Sequence, residues 1–251
     1  SAEKRGLAAF LAAEAADVVC LQEVRASAAQ VPAGMLAPAL GTPFFCAGER
    51  PGYAGVAIYT RTAPDRVVTG LGWPDFDAEG RYLQVDLGDL SVVSLYLPSG
   101  SSSPQRQAAK FDFLARFAPR LKAMREDGRH WIVCGDWNIA HTRQDIENWR
   151  GNQKNSGFLP EERAWMDALF GPLGFVDAYR ALYPDARGEG YTWWSNRGQA
   201  WAKNVGWRID YQVVSPELRP ALTRARVHRE PRFSDHAPLV VDYDLTRLGS
   251  T

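Results

Sequence analysis

Cysteine is scarce in this sequence. Cys20, Cys46 and Cys134 are the only three, odd in number and widely spaced, and no Cys-x-x-Cys occurs. That argues against a disulfide framework or a cysteine-built zinc site and fits a reducing cytoplasm. Histidine is nearly as sparse, with four residues: His130, His141, His228 and His236. An excess of one charge is missing too, since 29 Lys and Arg stand against 29 Asp and Glu. Global charge therefore neither demands a polyanionic partner nor excludes one, and local distribution has to decide. No apolar run reaches membrane length. Lys4-Arg5 followed by Gly6-Leu-Ala-Ala-Phe-Leu-Ala-Ala imitates a signal peptide, but Glu14 and Asp17 interrupt it. We read Ala2–Ala16 as an Ala-rich amphipathic helix instead. There is no internal repeat and no linker that requires two domains. A length of 251 residues with 45% apolar content suits one globular domain with a substantial core.

What is present is a repeated design: short apolar runs that end in polar groups. Trp131-Ile-Val-Cys-Gly-Asp136-Trp-Asn138 is the clearest, a buried strand delivering an acid and an amide at its mouth. Two residues apart on a strand, Asp136 and Asn138 point to one side. A carboxylate there can take a proton from water, and the amide can hold that water. Val18–Leu21 is a second such strand, ending in Gln22-Glu23-Val24-Arg25, where the plainer reading of Glu23 is an exposed carboxylate paired with Arg25. Arg208-Ile209-Asp210-Tyr-Gln-Val-Val214 has a carboxylate at its edge, and Ser234-Asp235-His236 precedes a closing strand, Leu239–Tyr243.

Between these lie supporting elements. Residues 26–52 read as a helix-poor connection. Gly55–Thr60, Tyr82–Leu87 and Leu90–Leu97 read as an antiparallel set alternating buried and exposed residues, with a hairpin turn at Asp86–Asp89 and Tyr96 near its end. A loop at 99–103 leads into a helix from Pro104 to about Glu126, with Phe113, Phe117, Leu121 and Met124 as its apolar stripe and Pro119 expected to kink or split it. A helix begins at Leu159-Pro-Glu-Glu and runs to about Phe170. Arg150-Gly-Asn152-Gln-Lys-Asn155 offers amides and cations suited to a phosphate backbone, or else is simply a solvated loop. Trp193, Trp194, Trp201 and Trp207 are interleaved with Arg197, Lys203 and Arg208, and residues 217–232 carry five arginines. That mixture fits a nucleic-acid surface, where rings stack and cations meet phosphates.

If Glu23, Asp136, Asn138, Asp210, Asp235 and His236 converge, the site is rich in carboxylates. Oxygen ligands of that kind suit Mg²⁺ or Mn²⁺ rather than zinc. A hard cation beside a base and an imidazole is equipment for phosphoester hydrolysis.

Taken together, Leu21-Gln-Glu23, Tyr96-Leu-Pro, Gly135-Asp136-Trp-Asn138, Asn204-Val-Gly-Trp-Arg-Ile-Asp210-Tyr and Ser234-Asp235-His236-Ala-Pro resemble the exodeoxyribonuclease III / class II AP endonuclease family, in order and over nearly the whole chain. This is a branch of the endonuclease–exonuclease–phosphatase superfamily. The resemblance implies an α/β fold, a four-layer sandwich of two packed, mainly antiparallel sheets flanked by helices. It implies that Glu23 binds the metal and Asp235 supports it, that Asp136 activates water and Asn138 orients it, and that Tyr96 contacts the phosphate. Asp210 would pair with His236, fixing its tautomer and favouring the charged ring. Trp193, Trp207 and Ile209 match positions lining the pocket for a flipped-out abasic sugar. Arg25, Asn152 and Asn155 match positions near the metal or the DNA backbone. The implied protein is a monomer that uses Mg²⁺ (or Mn²⁺), acts on double-stranded DNA at abasic sites or 3′ ends, and has no membrane partner. The family opens with a strand carrying an Asn, and this sequence begins after it, so the expectation is that the natural start is missing here. Two other readings stay open. One is the same fold acting on a lipid or inositol phosphate; the other is an inert DNA-binding module.

Overall fold

The structure, a computed structural model, describes residues 2–249. By its contacts the chain divides into two compact units. The first runs to Tyr96 and takes in Ile132–Asp136; the second comprises Leu97–Trp131 and the chain from Trp137 onward.

In the first unit the opening helix is shorter than expected. Gly6 turns left-handed at φ 90°, separating a 3-10 turn at Glu3–Arg5 from α1, Leu7–Glu14. Strands β1 (Val18–Gln22), β2 (Thr42–Cys46) and β3 (Val56–Thr60) form a sheet in the order β1-β3-β2, both pairs antiparallel. The connection expected over 26–52 therefore contains a strand. Phe44 and Phe45 of β2 stand opposite Ile58 and Ala57 of β3, a pairing that the surrounding prolines and glycines hid in the sequence. A second sheet places β4 (Arg66–Thr69), β5 (Tyr82–Leu87), β6 (Leu90–Tyr96) and β7 (His130–Asp136) side by side, after a short helix α2 (Pro74–Asp77). The hairpin between β5 and β6 closes with Leu87 opposite Leu90, as the sequence suggested.

β3 does not join β5 and β6 in one antiparallel set, which corrects the expectation. It also shows no alternation, being buried throughout. The reason is that both of its faces are covered. Ala57 and Tyr59 pack with Leu11 of α1, Met35 and Leu40, and the residues between them point the other way, toward β5 and β6. Polar groups lock the two sheets together: Gln22 donates to the Ser94 hydroxyl at 2.9 Å, and Ser94 donates to the Leu21 carbonyl at 2.9 Å. The end of β1, and with it Glu23, is thereby held against β6.

The second unit is built on α3 (Pro104–Glu126). Ser103 caps it by accepting from the Arg106 N–H at 3.1 Å, with proline at the first turn. Phe113, Phe117, Leu121 and Met124 are all buried, as their spacing required. Pro119 does not split the helix. It is exposed, and so is Ala115 one turn back, whose carbonyl loses its partner where water can replace it. There follow α4 (Trp149–Asn152), α5 (Pro160–Phe170), β8 (Val176–Asp177) and α6 (Ala178–Leu182). Next come β9 (Trp193–Trp194), α7 (Ala200–Lys203), β10 (Gly206–Trp207) and β11 (Asp210–Val214), then β12 (Leu222–Val227) and β13 (Leu239–Tyr243). β9 pairs with β10, β8 with β11, and β12 with β13, each antiparallel. Among the described residues no helix is long and apolar enough to cross a membrane.

Arg208, read from the sequence as one of the surface cations, is in fact only 2% exposed. Its Nε donates to Asp145 at 2.8 Å, and its two terminal nitrogens donate to Asp177 at 3.0 and 2.7 Å. Burial alone would raise the Asp145 carboxyl, but Arg208 and Arg180 hold it well below the usual carboxylate range. The network anchors the chain immediately before Ile209 and Asp210. Arg208→Met leaves two buried carboxylates short of their counter-ion, so a loss of about 3–5 kcal/mol in urea unfolding is expected. A loss below about 1 kcal/mol would mean the network contributes no more than an exposed pair.

Candidate active site

Four of the candidate residues, Glu23, Arg25, Tyr96 and Asp136, lie in the first unit. Glu23 follows β1 in a left-handed turn, φ 54°, and Arg25 repeats that conformation at φ 55°. The turn is fixed by Val24 and Arg25 N–H groups donating to the Gly55 and Ala54 carbonyls at 3.0 and 2.8 Å. The Arg25 guanidinium donates to the Glu23 carboxylate, the pairing considered from sequence. Tyr96 ends β6. Buried Arg81 holds it from below, donating to its carbonyl at 3.0 Å and stacking its guanidinium 4.8 Å from the ring centre. Burial, then Asp136, then Glu23 push the Tyr96 phenol well above the usual tyrosine range.

Asp136 is 5% exposed at the end of β7. Its delivery depends on Gly135, where a Cβ would lie 2.0 Å from the Leu95 carbonyl oxygen. Only glycine lets β7 lie that close to β6.

The strand stops at Asp136, and Asn138 turns left-handed at φ 53°. This corrects the sequence argument that the two project from one side of one strand. Asn138 is aimed instead by its own amide, which donates to the Leu97 carbonyl at 2.7 Å. Asp136 is the last residue of its segment of the first unit, and Trp137 and Asn138 belong to the second.

In the second unit, Asp210 opens β11 rather than ending it. Its N–H and that of Ile209 both donate to the buried Thr192 hydroxyl at 3.1 Å. His236 presents Nδ1 to Asp210 Oδ2 at 2.9 Å, so the expected pair is formed. The His236 N–H donates to the Ser234 hydroxyl at 2.9 Å, which sets the turn. Asp235 accepts from Trp193 Nε1 at 3.2 Å, and its carbonyl accepts from the Trp194 N–H at 3.0 Å. Trp193 and Trp207 meet edge to face at 5.9 Å and 85°, packed against Ile209 and Phe158. Trp194, by contrast, is wholly buried and belongs to the core. Asn152 ends α4 and Asn155 lies on the loop after it, Asn155 donating to Asn152 at 2.9 Å. Arg150 and Lys154 are exposed beside them. Farther along, Arg229 and Arg232 stack on the Trp201 ring at 5.3 and 4.6 Å.

Three contributors went unread in the sequence: Arg81, Thr192 and Lys110. A signal existed for Lys110, which falls on the apolar stripe of α3 three residues before Phe113. Arg81 and Thr192 carry no such mark.

The endonuclease/exonuclease/phosphatase family model matches residues 1–236. The chain belongs to this family. It is a nuclease-type hydrolase, and metal dependence is general to the family. Similar proteins include DNA repair nuclease APEX1 of Danio rerio, 35% identical over 90% of this chain and 72% of that protein. The exodeoxyribonuclease of Bacillus subtilis is 33% identical over 94% of this chain and 91% of its own length. Among solved structures, an AP endonuclease from Archaeoglobus fulgidus superposes with a TM-score of 0.85 at 25% identity, covering 95% of this chain and 93% of that one.

A divalent ion suits the donors found in this family member. They are carboxylate oxygens, and Asp136 and Glu23, both in the first unit, each add to the upward shift that burial gives the Tyr96 phenol. Hard cations prefer such oxygens.

Proposed function

We propose that this chain is a Mg²⁺-dependent DNA-repair phosphodiesterase, also served by Mn²⁺. It cuts duplex DNA 5′ to abasic sites and removes 3′-blocking groups or nucleotides. It acts as one catalytic domain and as a monomer, and the cytoplasm suits its three free thiols. One observation carries the reading: the Asp210–His236 pair adjoins an aromatic cluster. Trp193 bridges to His236 and packs with Trp207 and Ile209. Packed rings beside an imidazole suit a bare deoxyribose flipped from the stack, from which a base-bearing nucleotide is excluded.

In this reading Asp136 takes the proton of a water that Asn138 orients, and the water oxygen attacks phosphorus. The bond to the 3′ oxygen breaks, and that oxygen takes a proton from solvent water, leaving a 3′-hydroxyl and a 5′-deoxyribose phosphate. The His236 imidazolium, held by Asp210, faces the phosphate, and the Tyr96 phenol donates to it. Glu23 and Asp235 would hold the cation, which would supply Lewis-acid stabilisation of charge on the phosphate oxygens. Arg25, Asn152 and Asn155 position the DNA backbone. Glu23→Gln should raise the Mg²⁺ concentration for half-maximal rate at least about tenfold, the usual cost of weakening a metal shell. An unchanged Mg²⁺ dependence would remove Glu23 from that role.

The test offers three substrates with Mg²⁺: a duplex with one tetrahydrofuran abasic analogue, a nicked duplex ending in 3′-phosphate, and a soluble inositol phosphate. Nicking and 3′-phosphate release, with the inositol phosphate untouched, are expected. Turnover of the inositol phosphate with both duplexes intact would transfer the fold to lipid or inositol chemistry. Binding to the duplex without turnover would leave an inert DNA-binding module.

A further inference from the structure

Lys110 and Glu162 form an ion pair with neither side chain exposed, Nζ to Oε1 at 2.7 Å. Such burial is costly unless every remaining donor and acceptor is used. Here each partner reaches a different part of the candidate site. Lys110 Nζ also donates to the Asn138 carbonyl at 2.7 Å. Glu162 Oε2 accepts from the Gly157 N–H at 2.7 Å and the Leu159 N–H at 3.2 Å, and Oε1 from Gln107 at 3.0 Å. Gly157 closes the circuit, because its carbonyl accepts from the Ala140 N–H at 2.8 Å. It lies at φ 95°, and a Cβ there would come within 3.0 Å of the Trp207 ring and 3.3 Å of the Asn138 oxygen. The turn that presents Asn138, the end of the loop carrying Asn152 and Asn155, and the ring of Trp207 thus converge on one charge pair.

We propose that Lys110 and Glu162 are positioning residues that hold the Asn138 turn and the 152–157 loop in a fixed relation, so that the water-orienting amide and the DNA-backbone contacts are set together. This rests on the function proposed above. A left-handed asparagine with its carbonyl released can rotate its amide away from the water, and displacement of about 1 Å at a reacting centre can cost about a hundredfold in rate.

The test uses Lys110→Met/Glu162→Gln, which removes both charges together and leaves an oxygen on residue 162 to accept from Gly157. Single-turnover cleavage of the abasic duplex at saturating enzyme in Mg²⁺ should fall at least about tenfold, and duplex binding in EDTA should weaken in the same variant, because the Asn152 and Asn155 contacts shift with the loop. The fall should vanish in an Asn138→Ala background, because the pair acts through that residue. Parental rates in the double variant, or an equal fall in the Asn138→Ala background, would overturn the proposal. Native-state hydrogen exchange on the unmodified protein supplies a second arm that needs neither turnover nor a variant. The Gly157, Leu159 and Ala140 amides should open as one unit, and unrelated exchange behaviour among them would also overturn it. If the unmodified protein cuts neither duplex, the function is wrong, yet the exchange arm still decides the linkage.

Discussion

Asp136→Ala is expected to reduce cleavage of abasic duplex about a thousandfold or more, with the cooperative unfolding transition retained. Removing a general base costs about 10²–10⁴ in rate, and Asp136 is placed for that work by a glycine that nothing larger can replace. Its loss also removes one of the two carboxylates that raise the Tyr96 phenol. The substitution is not expected to unfold the chain, since Asp136 ends its strand. Asp136→Asn separates charge from size: if it is as slow as Asp136→Ala, proton removal is the role. Near-parental turnover in Asp136→Asn would reassign the residue.

His236→Gln should lower the rate at neutral pH about a hundredfold and abolish the alkaline fall of the pH–rate profile. The sign follows from the charged form being the useful one. An imidazolium opposite the phosphate is present at lower pH and is lost as pH rises through its titration, so activity falls on the alkaline side. Asp210 stands 2.9 Å from Nδ1 and stabilises that cation. Tyr96 is the other group able to lose a proton on that side, but burial, with Asp136 and Glu23 behind it, pushes its phenol up. Tyr96→Phe should keep the limb while lowering the rate at every pH, which together with its loss in His236→Gln assigns the limb to His236. A limb lost in Tyr96→Phe and kept in His236→Gln would reverse the two roles.

These residues were legible in the sequence because chemistry leaves marks at chain positions. An acid after a buried strand, an Asp-His pair in a chain poor in histidine, and an apolar stripe spaced for a helix each have few explanations. What escaped is what only folding decides. Arg208 reads as a surface cation among tryptophans, but the two acids that bury it lie 63 and 31 residues away in sequence. Trp193 and Trp194 are neighbours with the same composition around them, yet one lines a cluster beside His236 while the other is core. Strand alternation gives the reason: adjacent residues face opposite sides, and sequence does not say which side is water. Asn138 was assigned to the strand because the strand's end depends on a backbone turn, and a φ of 53° has no signature in an asparagine beyond its tolerance for it.

In the proposed function, Asp136 and His236 are both needed for cleavage of a DNA phosphodiester in the presence of a divalent ion. Single-turnover cleavage of an abasic duplex, with Mg²⁺ and then with EDTA, tests it most directly when the product ends are identified. The expected result is a nick 5′ to the lesion leaving a 3′-hydroxyl, abolished by EDTA, restored by added Mg²⁺, and nearly absent in both Asp136→Ala and His236→Gln. Cleavage that persists in EDTA, or that survives either substitution at the parental rate, would contradict it.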